Sequence, residues 1–354
     1  MKILLVSTPM GPLGMGLGGG VELTLMAILS ALKARGHYLA LVAAAGSELE
    51  AGLVDQLWLE PGVPQASWQH QKRESPVQIP ADSLLARFWQ RALGEQEAFD
   101  VLLNLGYDWL PLWLTPYFHK PLFHLISMGS VGEAMDQVIS ATAALYPQRV
   151  AFHTAAQAAD FQLPNPPRLL ANGFDFSRYK FRAQPQQLLG WAGRIAPEKG
   201  LEDAAQVALR WGWPLAVWGL KEDLQYAAAV EATVPKGTLQ WRGFLATNQF
   251  QAELGECAAL LNTPKWNEAF GNVLVEAMAC GVPVLAYRRG GPAELIDPGV
   301  SGLLVDPDNI AAMAAALPQL LCIDRYGCRE KAKERFSLEA FASRLENWLM
   351  QPTK

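Results

Sequence analysis

Cysteine is scarce in this chain of 354 residues, with four in all, and charged residues make up only 18% of it. Cys257, Cys280, Cys322 and Cys328 all lie in the second half, without C-x-x-C spacing and beside no histidine cluster. Buried free thiols are therefore expected in place of a disulfide framework or a zinc site. Lys and Arg form no extended run and the net charge is −5, which argues against nucleic acid or an anionic membrane as partner. Apolar runs long enough to span a membrane are missing, and residues 3–6 after Lys2 are too few for a signal-peptide core. No membrane insertion and a cytoplasmic location are the expectation. What is present is a globular composition, 51% hydrophobic, at a length that suits two domains with a core each.

The rest of the chain can be placed relative to residues 265–284. Residues 258–261 read as a short apolar strand closed by Asn262-Thr263-Pro264, followed by a loop and a helix opening at Gly271-Asn272 and stopped by Gly281 and Pro283. The helix is almost wholly apolar and must be buried on most sides. Glu276 is its only charge, and a buried carboxylate is costly unless something donates to it. With Asn272 as N-cap, Glu276 leans back toward the helix mouth, where the amides of Gly271, Asn272 and Val273 offer an anion site suited to phosphate. A carboxylate beside phosphate needs a neutral donor, such as ribose hydroxyls, and Glu268 on the preceding loop faces the same mouth and suits the hydroxyls of a sugar. Taken singly, each acid reads as a helix-dipole partner or a solvated loop acid. The pair, with Phe270-Gly271-Asn272 between them, points to a ligand.

Glu268 and Glu276 enclose seven residues, and the run resembles the E-x7-E motif of retaining glycosyltransferases of the GT-B fold, most closely glycosyltransferase family 4. The resemblance implies an α/β protein of two doubly wound Rossmann-like domains facing across a cleft. It implies that Glu268 contacts the donor sugar, that Glu276 holds the ribose, and that the helix mouth, with Phe270, Gly271, Asn272 and Val273, binds the diphosphate.

In the first half, residues 2–7 read as a strand, 21–35 as a helix and 38–43 as a second strand. Gly14, Gly16 and Gly19 spell G-x-G-x-x-G, yet Gly14 stands too far from the first strand for a dinucleotide fingerprint, and Val42-Ala43-Ala44-Ala45 supplies no acid for an adenine ribose. The loop instead resembles the family pattern in which Gly18-Gly19-Gly20-Val21-Glu22 closes over the sugar diphosphate, placing Gly19 and Gly20 among the donor residues. Proline-rich residues 60–80 read as a structured loop. A helix at 81–93 and strands at 101–105, 122–126 and 149–153 follow, with 168–171 finishing the half.

Tyr107, Asp108, Trp109 and Trp113 gather aromatics and a carboxylate at a strand's carboxyl end, where open sheets bind ligands; core packing is the plain alternative for both tryptophans. Glu133 and Asp136 follow the fifth strand. His124 by itself reads as a packed core histidine, but its position matches the family's active-site histidine, which contacts the transferred sugar. Residues 7–14, 107–112 and 124–130 resemble those of cyanobacterial pteridine glucosyltransferases. That resemblance implies UDP-glucose as donor, a reduced pterin, tetrahydrobiopterin, as acceptor held by Tyr107, Asp108, Trp109 and Met128, and an α-glucoside as product.

Asn172-Gly173-Phe174-Asp175 resembles the family's domain crossover, which gives an acceptor domain at 1–173, a nucleotide-sugar domain at 174–336 and a terminal helix at 337–354 that crosses back to the first domain. Residues 188–192 read as a strand ending in Gly193-Arg194-Ile195-Ala196-Pro197-Glu198-Lys199-Gly200, with a helix at 201–211. Arg194 and Lys199 can bracket one diphosphate, a fork and a point charge, and the family's matching motif does so. Gly219-Leu220-Lys221 and Arg242-Gly243-Phe244, after strands at 215–218 and 239–241, lie where a nucleobase can rest. Asp306-Pro307-Asp308 spells D-x-D but reads as turn and N-cap chemistry. Two cations and a helix end already neutralise a leaving diphosphate, so no metal and no cofactor is expected. Arg194, Lys199, Glu268 and His124 are the expected catalytic residues. The rivals are a glycosyltransferase of the same fold acting on a sugar, sugar phosphate or lipid acceptor, a nucleotide-sugar epimerase of that fold, and a module that binds a nucleotide sugar without turnover.

Overall fold

The aliphatic runs become strands buried on both faces, and the computed structural model, which describes residues 1–14 and 19–351, joins them into two parallel sheets. Gly16 and Gly18, which the glycine-loop readings include, lie outside the described residues. The chain divides into two units, Met1–Gly173 with Leu338–Lys354, and Phe174–Ser337.

The first unit holds β1 (Lys2–Val6), β2 (Tyr38–Ala44), β3 (Gln56–Glu60), β4 (Val101–Asn104), β5 (Leu122–Ile126), β6 (Val150–Phe152) and β7 (Arg168–Leu169), in the order β3-β2-β1-β4-β5-β6-β7. Ile3 and Leu5 join a core with Leu25, Ile28 and Leu29 of the helix Gly19–Ala34, whereas Leu4 and Val6 join Phe88 and Trp89 of the helix Leu84–Glu95. Burial of both faces is why these strands read as unbroken apolar runs. The helix Leu338–Leu349 belongs to this unit and sends Phe341, Leu345 and Trp348 into the core of Ile3. Gly173 has to be glycine beside it, because a Cβ there would stand 2.4 Å from the Phe341 ring.

The edge strand β3 is absent from the sequence reading. None of its residues is fully buried, so it leaves no apolar run to find. Residues 60–80 are pinned across the carboxyl end of the sheet: the N–H of Gln65 donates to Pro9 O at 2.8 Å and that of Glu133 to Arg73 O at 3.0 Å. Trp68 between them is buried.

The second unit holds β8 (Leu189–Ala192), β9 (Leu215–Trp218), β10 (Leu239–Gly243), β11 (Ala259–Asn262), β12 (Val284–Tyr287) and β13 (Gly302–Val305), in the order β10-β9-β8-β11-β12-β13. In both sheets the order reverses once, between β1 and β4 and between β8 and β11. Loops leaving adjacent strands in opposite directions open a crevice at that point. Cys257, Cys280 and Cys328 are buried and free, as expected; Cys322 is free but exposed.

Candidate functional site

The loop after β8 is seated on β9, where the N–H of Gly193 donates to Trp218 O at 3.1 Å and that of Ile195 to Leu220 O at 2.9 Å. A single turn, Pro197–Lys199, then reaches Gly200, whose φ of +66° starts the helix Leu201–Trp211. Arg194 and Lys199 therefore stand at opposite ends of one short turn at the sheet's reversal point. Arg194 donates to Glu198 at 2.7 Å and to Glu222 at 2.5 Å. Lys199 donates to Glu268 Oε2 at 2.5 Å and lies 4.7 Å over the Trp266 ring, whose indole N–H donates to the same oxygen at 3.2 Å.

Exposure separates the two cations. The Arg194 side chain is 34% exposed, and pairs so open to water contribute about 0–1 kcal/mol, so Arg194 can exchange its carboxylates for a phosphate at little cost. Lys199 and Glu268 are 18% and 16% exposed, and water and salt screen their attraction less.

Gly271, with φ +97°, caps the helix Asn272–Ala279, so the N-cap lies one residue earlier than the sequence reading placed it, at the position whose backbone only glycine adopts readily. Gly271, Asn272 and Val273 are partly exposed while residues 274–280 are buried, which leaves the first turn's amides as the accessible end of the helix. Glu268 borders that end: a Cβ on Gly271 would stand 3.8 Å from Glu268 Cγ.

Glu276 is buried, and burial drives its carboxyl up to about 7 against the opposing hydrogen bond from the Tyr179 hydroxyl. Its donor in the structure is Tyr179, itself buried. No local pattern links positions 179 and 276, so the sequence held no signal for this partner. Phe270 is packed within the unit. Its side chain is buried, stacked 6.5 Å from Phe174 and edge-on to Phe336 at 6.0 Å, so the ring is core. Gly243, with φ +71°, and half-exposed Phe244 stand at the end of β10, and Lys221 covers the Trp241 ring at 3.9 Å. The D-x-D acids form no N-cap: Asn309 caps the helix Ile310–Leu320, and Asp308 pairs with Arg289 at 2.6 Å and Lys265 at 2.9 Å.

In the first unit two expected site residues are enclosed. His124 is fully buried, and burial, with Arg149 adding to it, holds its imidazole down to about 3. The side chain of Asn104 donates to His124 Nδ1 at 3.2 Å, Nε2 donates to Thr115 Oγ1 at 2.9 Å, and Thr115 donates to Leu112 O at 2.8 Å. With both ring nitrogens engaged inside the unit, His124 is a neutral fastener between β5 and the helix Trp109–Leu114. Asp108 is buried as that helix's N-cap, accepting from the N–H of Trp109 at 2.8 Å, and burial raises its carboxyl to about 6. Its carboxylate accepts from the backbone that opens the helix, with the Trp68 side chain beside it.

Tyr107 is half-buried with its hydroxyl donating to Gly129 O at 3.1 Å, and Met128 and Trp109 are half-buried. Trp109 stacks on Trp113 at 5.6 Å, and Trp113 is 45% exposed, which rules out core packing for the second ring. Sequence reasoning missed Arg73, carried in by residues 60–80, which donates to Asp136 at 2.6 Å and to Ser130 at 2.9 Å. Gly19 and Gly20 begin the helix Gly19–Ala34, and Glu22 in its first turn accepts from the N–H of Gly14 at 2.7 Å. Among the described residues no group of three or more His, Cys, Asp or Glu could hold a metal ion, and no helix is long and apolar enough to cross a membrane.

Residues 175–336 match the model of the family described as glycosyl transferases group 1. The 2-deoxystreptamine N-acetyl-D-glucosaminyltransferase of Streptomyces fradiae is 31% identical over 179 residues, which are 43% of this chain and 42% of that protein's length. HepE of Anabaena, solved with UDP and glucose, superposes with a TM-score of 0.74 at 19% identity, over 99% of this chain and 100% of that one. Sucrose-phosphate synthase of Thermosynechococcus elongatus does so at 0.74 and 19%, over 98% of each chain. At that identity the two structures establish the fold, which is GT-B. Residues 175–336, somewhat under half of the chain, are thus similar to the glycosyl transferases group 1, and the two-sheet fold is that of the solved glycosyltransferases.

Proposed function

We propose that the protein is a retaining glycosyltransferase that moves glucose from UDP-glucose to a reduced pterin, tetrahydrobiopterin, giving an α-glucoside. The observation that carries the reading is Lys199 paired with Glu268 beside the accessible helix end at Gly271. The arrangement sets a cation and backbone donors where a diphosphate would sit, with a carboxylate on the adjoining sugar. The resemblance of residues 7–14, 107–112 and 124–130 to pteridine glucosyltransferases suggests that donor, and HepE, solved with UDP-glucose, supports it.

In the reaction the bond from the sugar's anomeric carbon to the phosphate oxygen breaks, and UDP leaves with the electron pair. The acceptor oxygen bonds the same carbon on the face the UDP left, and its proton passes to the departing phosphate. Arg194, Lys199 and the amides at Gly271 stabilise the charge that grows on the diphosphate, the term that dominates such barriers. Glu268 holds the sugar hydroxyls and keeps Lys199 in place. On the acceptor side, Tyr107 and Trp109 offer rings for a flat heterocycle. With Asp108 committed to its helix, Asp136 is the carboxylate left for amino and ring N–H groups; its Oδ1 has no hydrogen-bond partner among the described residues.

The test is UDP release from UDP-glucose with tetrahydrobiopterin, simple sugars, sugar phosphates, diacylglycerol and 2-deoxystreptamine, the acceptor in the name of the Streptomyces fradiae relative. Release with tetrahydrobiopterin is expected. Release confined to any other acceptor removes the pterin and keeps the glycosyltransferase.

A further inference from the structure

Glu268 hangs on a loop whose own supports lie outside the donor site described above. Lys265, at the start of that loop, sends its ammonium to buried Asp203 on the helix Leu201–Trp211 and, at 2.9 Å, to Asp308 after β13. Tyr287, at the end of β12, donates to the same Asp203 oxygen at 2.5 Å. Arg289 donates to Asp308 at 2.6 Å and to Pro264 O at 2.7 Å, which closes a ring of side chains around residues 264–265. The Lys265 backbone N–H donates to Glu198 O at 2.8 Å, in the turn between Arg194 and Lys199.

The loop has no room to shift without moving Glu268. A Cβ on Gly200 would stand 2.0 Å from Thr263 O, one on Gly290 2.5 Å from Glu268 O, and one on Gly291 2.4 Å from Phe270 O. Glu268 O also accepts from the N–H of Gly291 at 2.7 Å. Backbone so tightly enclosed passes a displacement at residue 265 on to residue 268.

We infer that Lys265 is a positioning residue for the transfer reaction: it ties the ends of β8, β11, β12 and β13 together and thereby holds Glu268 and Lys199 in register. The inference rests on the glycosyltransferase reading of the site. It deepens that reading by placing the alignment of donor sugar and diphosphate in a group that touches neither. Asp203 and Asp308 are its anchors, the first buried and fixed, the second half-exposed and adjustable.

The experiment compares the wild type with K265M, K265R and D308N. In K265M, kcat for UDP release is expected to fall about ten- to a hundredfold, the usual effect of losing a group that orients reacting ones. The KM for UDP-glucose should stay close to wild type. K265R, which can still reach both carboxylates, should regain most of the rate, and D308N should fall between. Amide hydrogen exchange, which needs no turnover, should quicken over residues 196–200 and 264–271 in K265M and stay unchanged over 101–126. Wild-type kcat in K265M, a loss confined to KM, or a K265R as impaired as K265M would each overturn the inference. Should K265M fail to fold, wild-type rate and exchange in D308N would overturn it equally. A wild-type protein that releases no UDP overturns the reading of the site, and unaltered exchange in K265M overturns this inference whichever way that first result falls.

Discussion

Arg194 and Lys199 carry equal charge, but their own unit holds them unequally, and the difference sets what their removal does. Arg194 is the more exposed and bonds two carboxylates that water can also satisfy, so R194A should leave the fold intact. Charge-assisted hydrogen bonds contribute about 1.5–3 kcal/mol, so UDP affinity by calorimetry should drop about tenfold or more; unchanged affinity would remove Arg194 from the diphosphate site. Glu276 offers a test by pH. Its carboxyl stands at about 7 in the fold against an ordinary 4.5, so the folded chain binds more protons than the unfolded one between those values. Its contribution favours folding at low pH and is lost as pH rises through about 7. Glutamine keeps the shape and the Tyr179 partner without the charge. The melting temperature of E276Q should therefore match wild type at pH 4 and exceed it at pH 8. Equal melting temperatures at pH 8 would show that Glu276 does not titrate where burial puts it.

Helices and loops fix what these side chains can reach. The helix mouth depends on Gly271, since alanine at φ +97° is strained and its Cβ would press on Leu274 Cδ1 at 3.1 Å. Left-handed backbone costs an ordinary residue about 1–2 kcal/mol, so G271A should lower the melting temperature modestly. Reorienting the first amides should also weaken UDP binding, and full affinity in a folded G271A would exclude the helix end as the anion site. Residues 60–80 make the matching element of the first unit, placing Arg73 on Asp136 and Ser130. R73A should raise the KM for the acceptor and leave UDP affinity alone, a split read from steady-state kinetics and calorimetry on the same sample. A loss of UDP affinity would place Arg73 with the donor.

For the molecule as a whole, four buried groups balance. Burial depresses His124 to about 3 and His153 to about 4, and raises Asp108 to about 6 and Glu276 to about 7. The two histidines favour folding above their ordinary value near 6.5, and that contribution fades as pH falls toward 4. The two acids oppose them over the same span, since each holds its proton longer in the fold. Stability should therefore be nearly flat between pH 5 and 6 and fall below about 4, where Asp55 and Asp308, held low by the cations beside them, take up protons along with the histidines. A melting temperature that drops steadily from pH 6.5 to 5 would show the acids to be ionised throughout. Turnover is expected to survive EDTA, because Arg194, Lys199 and the helix end neutralise the leaving group; loss on chelation with recovery on adding magnesium would show that charge count to be short.

The sheets were legible because hydrophobic burial acts on each side chain where it stands: β5, β9 and the helix Leu201–Trp211 lie where the apolar spacing put them, and β3, lacking a buried run, escaped. The motifs at Arg194 to Lys199 and Glu268 to Glu276 were legible for a related reason, since each sits within one loop or one turn of helix. Sequence by itself therefore determined the two-sheet architecture and the residues at the second sheet's reversal point. The partners were decided only by tertiary structure. Tyr179 on Glu276, Arg73 on Asp136, Lys265 between Asp203 and Asp308, and Asn104 on His124 all join segments distant in the chain. A parallel sheet brings such segments together through crossover connections, and which polar groups then meet depends on loop geometry that leaves no periodic trace in the residues.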